Sequence, residues 1–420
     1  MSIRSWCQEW VEAHPTGDQP FRSTASSRKF PKHNQTQEGR MDRRGFVGTG
    51  MAAGLVGVGG AASSLSALLG HAPGWGPGKT LPDGSVKLAS NENALGLCES
   101  ARQAVIDAIP HANRYPSDYT PELLQELAKY MGVKEENLIL GAGSTEILQM
   151  TVQAFQGPKV PLVIADPTFE DVPRYQHPLS FNLIRVPLTH TYAHDIARMR
   201  EHAEGSRRPS IVYFCNPNNP TGTITESRGI DAWIADAPET TTFLMDEAYF
   251  DYVDNASYWS ALKWIDTHPN VVVVRTFSKI FAMAGLRVGY AVAHPDTIVR
   301  LTEYVAKNSP NVLATAAGIA SLRDSDHTAR SLEVNEVSKK IVHDTCDELG
   351  LECLPSDANF TMHRINGDLD TYIQRMADAG VRVGRPFPPM LEWSRLSYGL
   401  PEEQNRWAET LKGFRAKGWV

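Results

Sequence analysis

Two kinds of hydrophobic pattern alternate along the chain from residue 79 onward. Apolar side chains recur at helical spacing in residues 121–131 (PELLQELAKYM) and again in residues 145–155. Between such stretches lie short runs rich in β-branched and aromatic residues, each ending at a polar residue, a glycine or a proline. These strand candidates are residues 160–165, 211–214, 242–245 and 271–274. Strands separated by helices predict an α/β fold with a mainly parallel sheet, whose functional site lies at the carboxyl ends of the strands.

The C-terminal part of the chain has a different pattern. Residues 296–420 combine long helical stretches with short strand candidates at 359–362 and 395–398. This mixture predicts a smaller α+β domain beside the domain that contains the parallel sheet. We therefore divide the chain into a leader (1–75), an N-terminal arm that contributes to the small domain (76–110), a large domain (111–295) and the C-terminal small domain (296–420).

The leader contains the features of an export signal. Arg43 and Arg44 precede Phe46 and a weakly apolar run of glycine and alanine that ends near Leu69. Residues 41–72 therefore resemble a twin-arginine signal, and 61–63 or 70–72 offer small residues for cleavage. The alternatives are a glycine-rich linker and a membrane anchor, but the many glycines disfavour a stable membrane span. We predict export to a bacterial periplasm, with translation starting at Met41; the alternative is a cytoplasmic protein.

Composition narrows the function classes further. The chain has 420 residues and a net charge of −7, so nucleic acid is not expected as a partner. Its five cysteines follow no metal-ligand spacing, and their odd number argues against a disulfide framework. We expect no metal site, and the cysteines are interpreted as small buried hydrophobic residues.

A single lysine follows the strand candidate 271–274. Lys279 stands between this apolar run and a series of small residues in VVRTFSKIFAMAGLRVGY (273–290). Burying an ammonium group costs several kcal/mol unless it is paired, so such a lysine suggests an amine used in catalysis. Pyridoxal phosphate is the cofactor that forms a Schiff base with such a lysine, and it requires an acid, phosphate donors and a stacking surface. The alternative is an ordinary solvated lysine.

Candidates for these partners follow other strands. Asp246 ends the apolar run in FLMDEAY (243–249), where a carboxylate is costly unless it meets a cation such as a protonated pyridine nitrogen. Tyr249 could donate to the oxygen on the ring, and the rigid turn CNPNNPTG (215–222) presents Asn219. Phe169, after a further strand, could stack on a flat ring. Each also has a structural interpretation: a helix cap, a turn and a core aromatic residue.

A glycine turn between strand and helix offers a phosphate site. In LILGAGSTEILQM (138–150), Gly141 and Gly143 allow close backbone approach before the helix opens at Ser144 and Thr145. Helix N-termini bind phosphate through unpaired N–H groups and the helix dipole. Ser144 could equally be a plain N-cap.

The ordered set GAGSTE, DPTF, CNPNNPTG, DEAY, TFSK and GLRVGY resembles the fold-type-I pyridoxal-phosphate aminotransferases, in the histidinol-phosphate aminotransferase-like branch. KLASNENALG (87–96) and residues 113–133 also match this branch, and the similarity covers about residues 80–410. The resemblance implies ping-pong transfer between an amino acid, or a histidinol-phosphate-like amine, and a 2-oxo acid. The alternatives are a decarboxylase or lyase on the same fold and a non-catalytic cofactor-sensing regulator.

The resemblance also implies residue roles toward pyridoxal phosphate. Lys279 forms the Schiff base and carries a proton, Asp246 pairs with the pyridine nitrogen, and Phe169 stacks on the ring. Asn219 and Tyr249 bond the ring oxygen. The phosphate is held by Ser144, Thr145, Thr276, Ser278 and Arg287.

Further residues are expected at the substrate and between subunits. Arg395 clamps the acidic group of the substrate, accompanied by Asn93 and Asn219. Tyr115 reaches the phosphate of a neighbouring subunit, which implies a homodimer with shared active sites. Histidinol-phosphate enzymes carry a second arginine where this chain has Gly384, with Arg385 one residue away. The surrounding apolar residues suit an aromatic or aliphatic side chain.

Overall fold

The computed structural model describes residues 81, 83–157, 159–174, 182–205 and 208–420. The predicted leader lies outside these residues, as does Cys7. The strands, in chain order, are β1 (Val86–Lys87), β2 (Leu138–Gly141), β3 (Pro161–Asp166), β4 (Asn182–Pro187), β5 (Ser210–Cys215), β6 (Thr241–Asp246), β7 (Val271–Thr276), β8 (Gly289–Ala293), β9 (Phe360–Arg364), β10 (Val381–Arg382) and β11 (Trp393–Ser397).

Helices connect most of these strands. They are α1 (Glu99–Ala108), α2 (Thr120–Met131), α3 (Ser144–Phe155), α4 (Asp171–Arg174), α5 (Ile196–Glu204), α6 (Ser227–Asp236), α7 (Pro295–Thr302), α8 (Val312–Leu322), α9 (Ser325–Leu349), α10 (Leu369–Asp378) and α11 (Pro401–Ala416). Within the described part of the chain, no helix combines the length and the apolar character needed to cross a bilayer.

The central sheet has seven strands in the order β2-β8-β7-β6-β5-β3-β4. Strand β8 runs antiparallel to both of its neighbours, and the other pairings are parallel. This confirms the predicted α/β fold with a mainly parallel sheet. The register pairs Cys215 with Asp246 and Asp246 with Val274, so the carboxyl ends of β5, β6 and β7 meet at one edge.

The sheet is covered on both faces, which explains its continuous apolar strands. Successive residues of a strand point to opposite faces, and the two apolar clusters divide accordingly. Phe243 and Val273 belong to one cluster, while Leu244 and Val272 belong to the other. All four side chains are fully buried. The strands predicted from β-rich runs are therefore confirmed, with shifts of one or two residues at their ends.

The predicted helices are confirmed with small shifts as well. Helix α2 begins one residue before the predicted start and ends at Gly132, which adopts a left-handed φ of 68°. Glycine accepts this conformation without a steric penalty, so the helix stops there. Helix α3 begins at Ser144, immediately after Gly143, whose φ is 82°.

Two smaller sheets and a third apolar cluster form the C-terminal part. Strands β9 and β11 pair antiparallel, while β1 pairs parallel with β10. The N-terminal residues around β1 therefore pack with C-terminal elements, in a cluster that includes Trp407. Helix α8 instead contributes to the core of the large sheet. The described residues belong to one compact unit, and the predicted boundaries at 110/111 and 295/296 stay predictions.

One close backbone contact places the start of α3 at the edge of the sheet. A Cβ atom on Gly289 would lie 2.2 Å from the Ser144 nitrogen, so only glycine fits at this position of β8. Gly141 pairs with Gly289 across β2 and β8. As a result, the first turn of α3 lies directly against the sheet, beside the strand ends that carry the polar residues.

Candidate active site

A cavity of about 370 Å³ opens at the carboxyl ends of the parallel strands. Its volume falls within the range of ligand pockets in proteins. It brings together most of the residues predicted from the sequence. Those that line it are Ser144, Thr145, Phe169, Asn219, Asp246, Tyr249, Thr276, Ser278, Lys279, Arg287 and Arg395.

Lys279 follows β7 and projects into this cavity. Its Nζ donates to the backbone oxygen of Asn91 at 3.1 Å and lies 5.3 Å from the centre of the Tyr249 ring. Burial lowers the pKa of Lys279 to about 8, and the positive charge of Arg395 acts in the same direction. Burial thus favours the neutral form of the amine, which is the form that reacts with an aldehyde.

Asp246 ends β6 and is almost completely buried. Its carboxylate accepts hydrogen bonds from the Tyr213 hydroxyl at 2.8 Å and from the Ala248 nitrogen at 3.2 Å. Burial nevertheless raises the pKa of Asp246 to about 6. No lysine, arginine or histidine of the described chain forms an ion pair with it. The carboxylate is thus placed for a cation that a ligand brings.

The Tyr249 hydroxyl is held by two side-chain amides. Its oxygen accepts from the Nδ2 atoms of Asn91 at 3.1 Å and Asn219 at 3.3 Å. The orientation of the Asn219 amide is set by Arg395, which donates to its Oδ1 at 2.8 Å. Because both amides donate to the hydroxyl oxygen, its own proton is left to donate into the cavity.

The start of α3 and Arg287 form a cationic corner of the cavity. Arg287 adopts a φ of 66° and donates to the Ala284 oxygen at 2.9 Å and to the Ser278 hydroxyl at 3.4 Å. A Cβ atom on Gly143 would lie 2.1 Å from its Nη2, so the guanidinium lies against the backbone before α3. Its hydrogen-bond partners are neutral oxygens, and it forms no ion pair with the described residues. Thr276 adds a hydroxyl to this corner.

Arg395 on β11 is a second guanidinium without a carboxylate partner in the described chain. It is only 8% exposed, donates to Asn219 and to the Ala89 oxygen at 2.6 Å, and leaves its Nε without a partner among the described residues. Burial lowers the pKa of Arg395 to about 10. A buried guanidinium with a free donor favours an anionic ligand.

The arginine next to this one in space is already paired. Arg385 lines the cavity and donates from Nη2 to Glu170 at 2.5 Å. Phe387 lies between the two guanidinium groups, 4.2 Å from that of Arg385 and 4.4 Å from that of Arg395. Gly384 does not supply a contact to the cavity; a Cβ there would lie 2.8 Å from the Arg395 oxygen. The chain therefore has a glycine at the position where the family carries an arginine. Arg385, one residue later, lines the cavity and is paired with Glu170.

Two predicted residues lie elsewhere. Asn93, predicted to contact the substrate, lies outside the cavity. Its amide donates to the Ile280 oxygen and the Ser331 hydroxyl, each at 2.9 Å. Asn91 takes the place expected for it, and its Oδ1 accepts from Ser397 at 3.0 Å. Both asparagines stand in the same SNEN motif, and no local signal separates them. Tyr115 is 72% exposed and does not line the cavity of its own chain.

These features fit pyridoxal phosphate. A dianionic phosphate matches the helix start and Arg287, and a protonated ring nitrogen matches the buried carboxylate of Asp246. The free hydroxyl proton of Tyr249 suits a ring oxygen, and Phe169 offers an apolar face. The Arg395 guanidinium, which has no carboxylate partner in the described chain, remains for a further anion.

Comparisons with known proteins agree with this fit. Residues 83–409 match the family of class I and II aminotransferases, which use pyridoxal phosphate. Histidinol-phosphate aminotransferase of Moorella thermoacetica is 38% identical over 299 residues, which cover 71% of this chain and 77% of the relative. Aromatic amino acid aminotransferase of Rhodococcus jostii is 36% identical over 333 residues, 79% of this chain and 91% of the relative.

A solved structure shows the same similarity in three dimensions. A crystal structure of a protein from Erwinia carotovora atroseptica is 38% identical, with a TM-score of 0.79. The match covers 80% of this chain and 98% of the other.

The contrast between Asn91 and Asn93 can be tested directly. Asn91→Gly removes the side-chain bonds to Tyr249 and Ser397 but keeps the left-handed backbone, whose φ is 55°. Of these two bonds, the one to Tyr249 orients a group proposed to touch the cofactor. Losing one neutral hydrogen bond costs about 1 kcal/mol, so we expect roughly fivefold weaker binding of pyridoxal phosphate. Absorbance titration of cofactor-free protein measures this. Asn93→Ala is the matched control and should bind as the wild type does; equal weakening in both variants would contradict the assignment.

Proposed function

The chain belongs to the class I and II aminotransferase family and is a pyridoxal-phosphate-dependent aminotransferase, and we propose that Lys279 is its catalytic amine. The proposal is based on which charged groups line the cavity and which of them lack an oppositely charged partner. The cavity holds a lysine with a lowered pKa, one buried acid, and two guanidinium groups that lack an acidic partner in the described chain. A cofactor phosphate and a substrate anion would neutralise these two groups.

The residues around the cavity have distinct roles in this proposal. When bound, pyridoxal phosphate supplies an aldehyde that reacts with amines and a ring that withdraws electrons from the adjacent carbon. Asp246 keeps the ring nitrogen protonated, and Phe169 excludes water from the ring. Asn219 and Tyr249 orient the ring oxygen. The phosphate is held by Ser144, Thr145, Thr276, Ser278 and Arg287.

Lys279 also carries a proton in this proposal. Its amine donates a hydrogen bond to a backbone oxygen, which cannot take up the proton. Arg395 lowers the pKa of Lys279 through its charge. A carboxylate bound to Arg395 would cancel that charge and raise the pKa of Lys279. Substrate binding would thereby make the amine a stronger base when a proton must be removed from the substrate carbon.

The role of Lys279 is tested by Lys279→Ala. We expect turnover to fall by roughly 10²–10⁴-fold, because an acid–base group is lost, and small primary amines should restore part of it. As an independent readout, borohydride reduction should link the cofactor to the Lys279 peptide in the wild type and to no peptide in the variant. Lys263→Ala, at a half-exposed lysine outside the cavity, is the control.

A single-turnover measurement on the wild-type enzyme separates the possible reaction types. A donor amino acid alone should release one equivalent of its 2-oxo acid per active site and then stop. Release of carbon dioxide or continuous release of ammonia would contradict amino transfer. Normal turnover by Lys279→Ala would contradict the assignment of Lys279 as the catalytic amine.

The donor is an amino acid with an aromatic or aliphatic side chain, and the acceptor is a 2-oxo acid. Arg395, which lines the cavity, binds the α-carboxylate through its Nη groups. The side chain lies toward Phe387, which is apolar and lines the cavity. Arg385 is already paired with Glu170, so an incoming anion would compete with that carboxylate for it.

A second candidate donor is a histidinol-phosphate-like amine. The similarity to the Moorella thermoacetica enzyme favours it. Such an amine has a dianionic phosphate and no carboxylate, so it would require Arg385 in addition to Arg395. The ion pair between Arg385 and Glu170 would then have to break.

The two donors are distinguished by KM and kcat/KM for phenylalanine and for histidinol phosphate. Arg395→Lys should raise the KM for phenylalanine roughly 10- to 100-fold, since a charge-assisted clamp is worth about 1.5–3 kcal/mol. Arg385→Gln is the matched control at the neighbouring guanidinium and should leave this KM unchanged. Glu170→Gln, which frees Arg385, should lower the KM for histidinol phosphate. A wild-type kcat/KM higher for histidinol phosphate than for phenylalanine would contradict the amino-acid proposal.

The active form is a homodimer that shares its active sites. The support is the position of Tyr115, which is 72% exposed at the start of a short helical turn, with Ile109 50% exposed nearby in the chain. In the dimer, Tyr115 reaches the phosphate of the neighbouring subunit.

The protein is exported by the twin-arginine route. The support is Arg43 and Arg44 before the weakly apolar run in the leader. This route suits an enzyme that folds around its cofactor before it leaves the cytoplasm.

Native mass spectrometry of the full-length gene product, expressed in a bacterium and purified from the periplasm, tests export and dimer together. We expect twice the mass of a chain that starts after residue 63 or 72. Replacing both Arg43 and Arg44 by lysine is the control and should keep the uncleaved chain in the cytoplasm. An intact Met1 would refute the signal, and a monomeric mass would refute the shared site.

A further inference from the structure

Two cysteine thiols meet in the C-terminal part of the chain, away from the cavity. Cys346 lies in the last turn of α9, which ends at Gly350 with a left-handed φ of 63°. The chain turns back so that the Leu351 nitrogen donates to the Cys346 oxygen at 2.9 Å. Cys353 then pairs with His363 of β9 in an isolated antiparallel bridge. This turn packs Cys353 against the apolar cluster that contains Cys346, and both thiols are free.

The surroundings make the two thiols unequal. Cys353 is partly exposed, whereas Cys346 is completely buried. His343, one turn before Cys346 on α9, places its Nε2 4.0 Å from the Cys353 sulfur, and the Thr361 hydroxyl lies at 3.7 Å. The Cys346 thiol and His343 lower the pKa of Cys353 below its ordinary value, while contact with Cys353 and burial raise the pKa of Cys346.

A metal site does not account for this cluster. Within the described ranges, no group of three histidine, cysteine or acidic side chains is arranged to hold a metal ion. Burial as small hydrophobic residues, expected from the sequence, fits Cys98 and Cys215. It does not explain a partly exposed sulfur that lies 4.0 Å from an imidazole nitrogen and packs against the cluster that holds a second thiol. An accessible thiolate beside a buried thiol is the arrangement of a redox-active pair.

We propose that Cys353 and Cys346 form a redox-active dithiol that closes to an intrachain disulfide by exchange with an external disulfide. The Cys353 thiolate attacks one sulfur of that disulfide; a new S–S bond forms, the old one breaks, and one thiolate leaves. Cys346 then attacks the Cys353 sulfur and releases the second thiolate. The protein loses two electrons and two protons, and the external disulfide gains them as two thiols.

The disulfide would connect the end of α9 to the segment that extends β9. Leu354, next to Cys353, donates from its nitrogen to the Met362 oxygen at 2.9 Å, and Met362 pairs with Arg395 across β9 and β11. This proposal rests on the cysteine cluster alone and does not require the proposed substrate, dimer or export.

The test uses the cofactor-loaded full chain with Cys7→Ser, incubated with glutathione disulfide, quenched in acid, alkylated and mapped by mass spectrometry. A glutamate-specific protease separates the two cysteines, because Glu348 and Glu352 lie between them. We expect a loss of two free thiols per chain and a linked pair of peptides. Cys98 and Cys215, both buried, serve as internal controls and should stay unmodified.

Two matched variants test the order of attack. Cys346→Ser should accumulate one glutathione on Cys353, because no second thiol resolves the mixed disulfide. Cys353→Ser should show no adduct on Cys346 in the folded protein. Retention of both thiols in the parent protein would overturn the proposal, whether or not the variants fold. Equal adduct formation in the two variants would overturn the assignment of Cys353 as the attacking thiol.

Discussion

The site depends on charged groups that are buried at one edge of a sheet and form no ion pair with other described residues. Taking an ion out of water is costly, and the usual solution is a paired counter-ion. Lys279, Asp246 and Arg395 are instead held by a backbone oxygen, a tyrosine hydroxyl and an asparagine amide, respectively. Neutral dipoles fix these groups in place but leave their charges available. The apolar clusters on both faces of the sheet offset the free-energy cost of burying these charged groups.

Elements distant in sequence converge on the same edge. Lys279 and Asp246 come from neighbouring strands, whereas Arg395 comes from β11 and Asn91 from the segment after β1. Asn91 links these distant elements: its backbone oxygen accepts from Lys279, and its side chain bonds both Tyr249 and Ser397 of β11. A change of charge at Arg395 therefore acts on Lys279 by electrostatics and, through Asn219, on the hydrogen bonds of Tyr249.

Much of the fold and of the cavity could be predicted because the relevant signals are local. Strand β7 is a run of valines that ends at a polar residue, and the neighbouring parallel strands end at the same edge. Asp246 ends a strand, and Lys279, Asn219 and Ser144 each come shortly after one, so their convergence follows from the topology. Asn91 and Asn93 show the limit of prediction from local signals. Only tertiary contacts with Ser397 and Ser331 decide which of the two faces the cavity.

The substrate was harder to predict than the cofactor for the same physical reason. The groups proposed to hold the cofactor sit at strand ends and a helix start, whose positions are set by backbone pairing. The charge that a substrate meets at Arg385 depends on Glu170, which lies 215 residues earlier in the chain. Sequence shows an arginine one residue away from the family position, and it cannot show that a carboxylate neutralises it. One ion pair thus decides whether the cavity presents one free guanidinium to the substrate or two, and with that whether a carboxylate or a phosphate fits better.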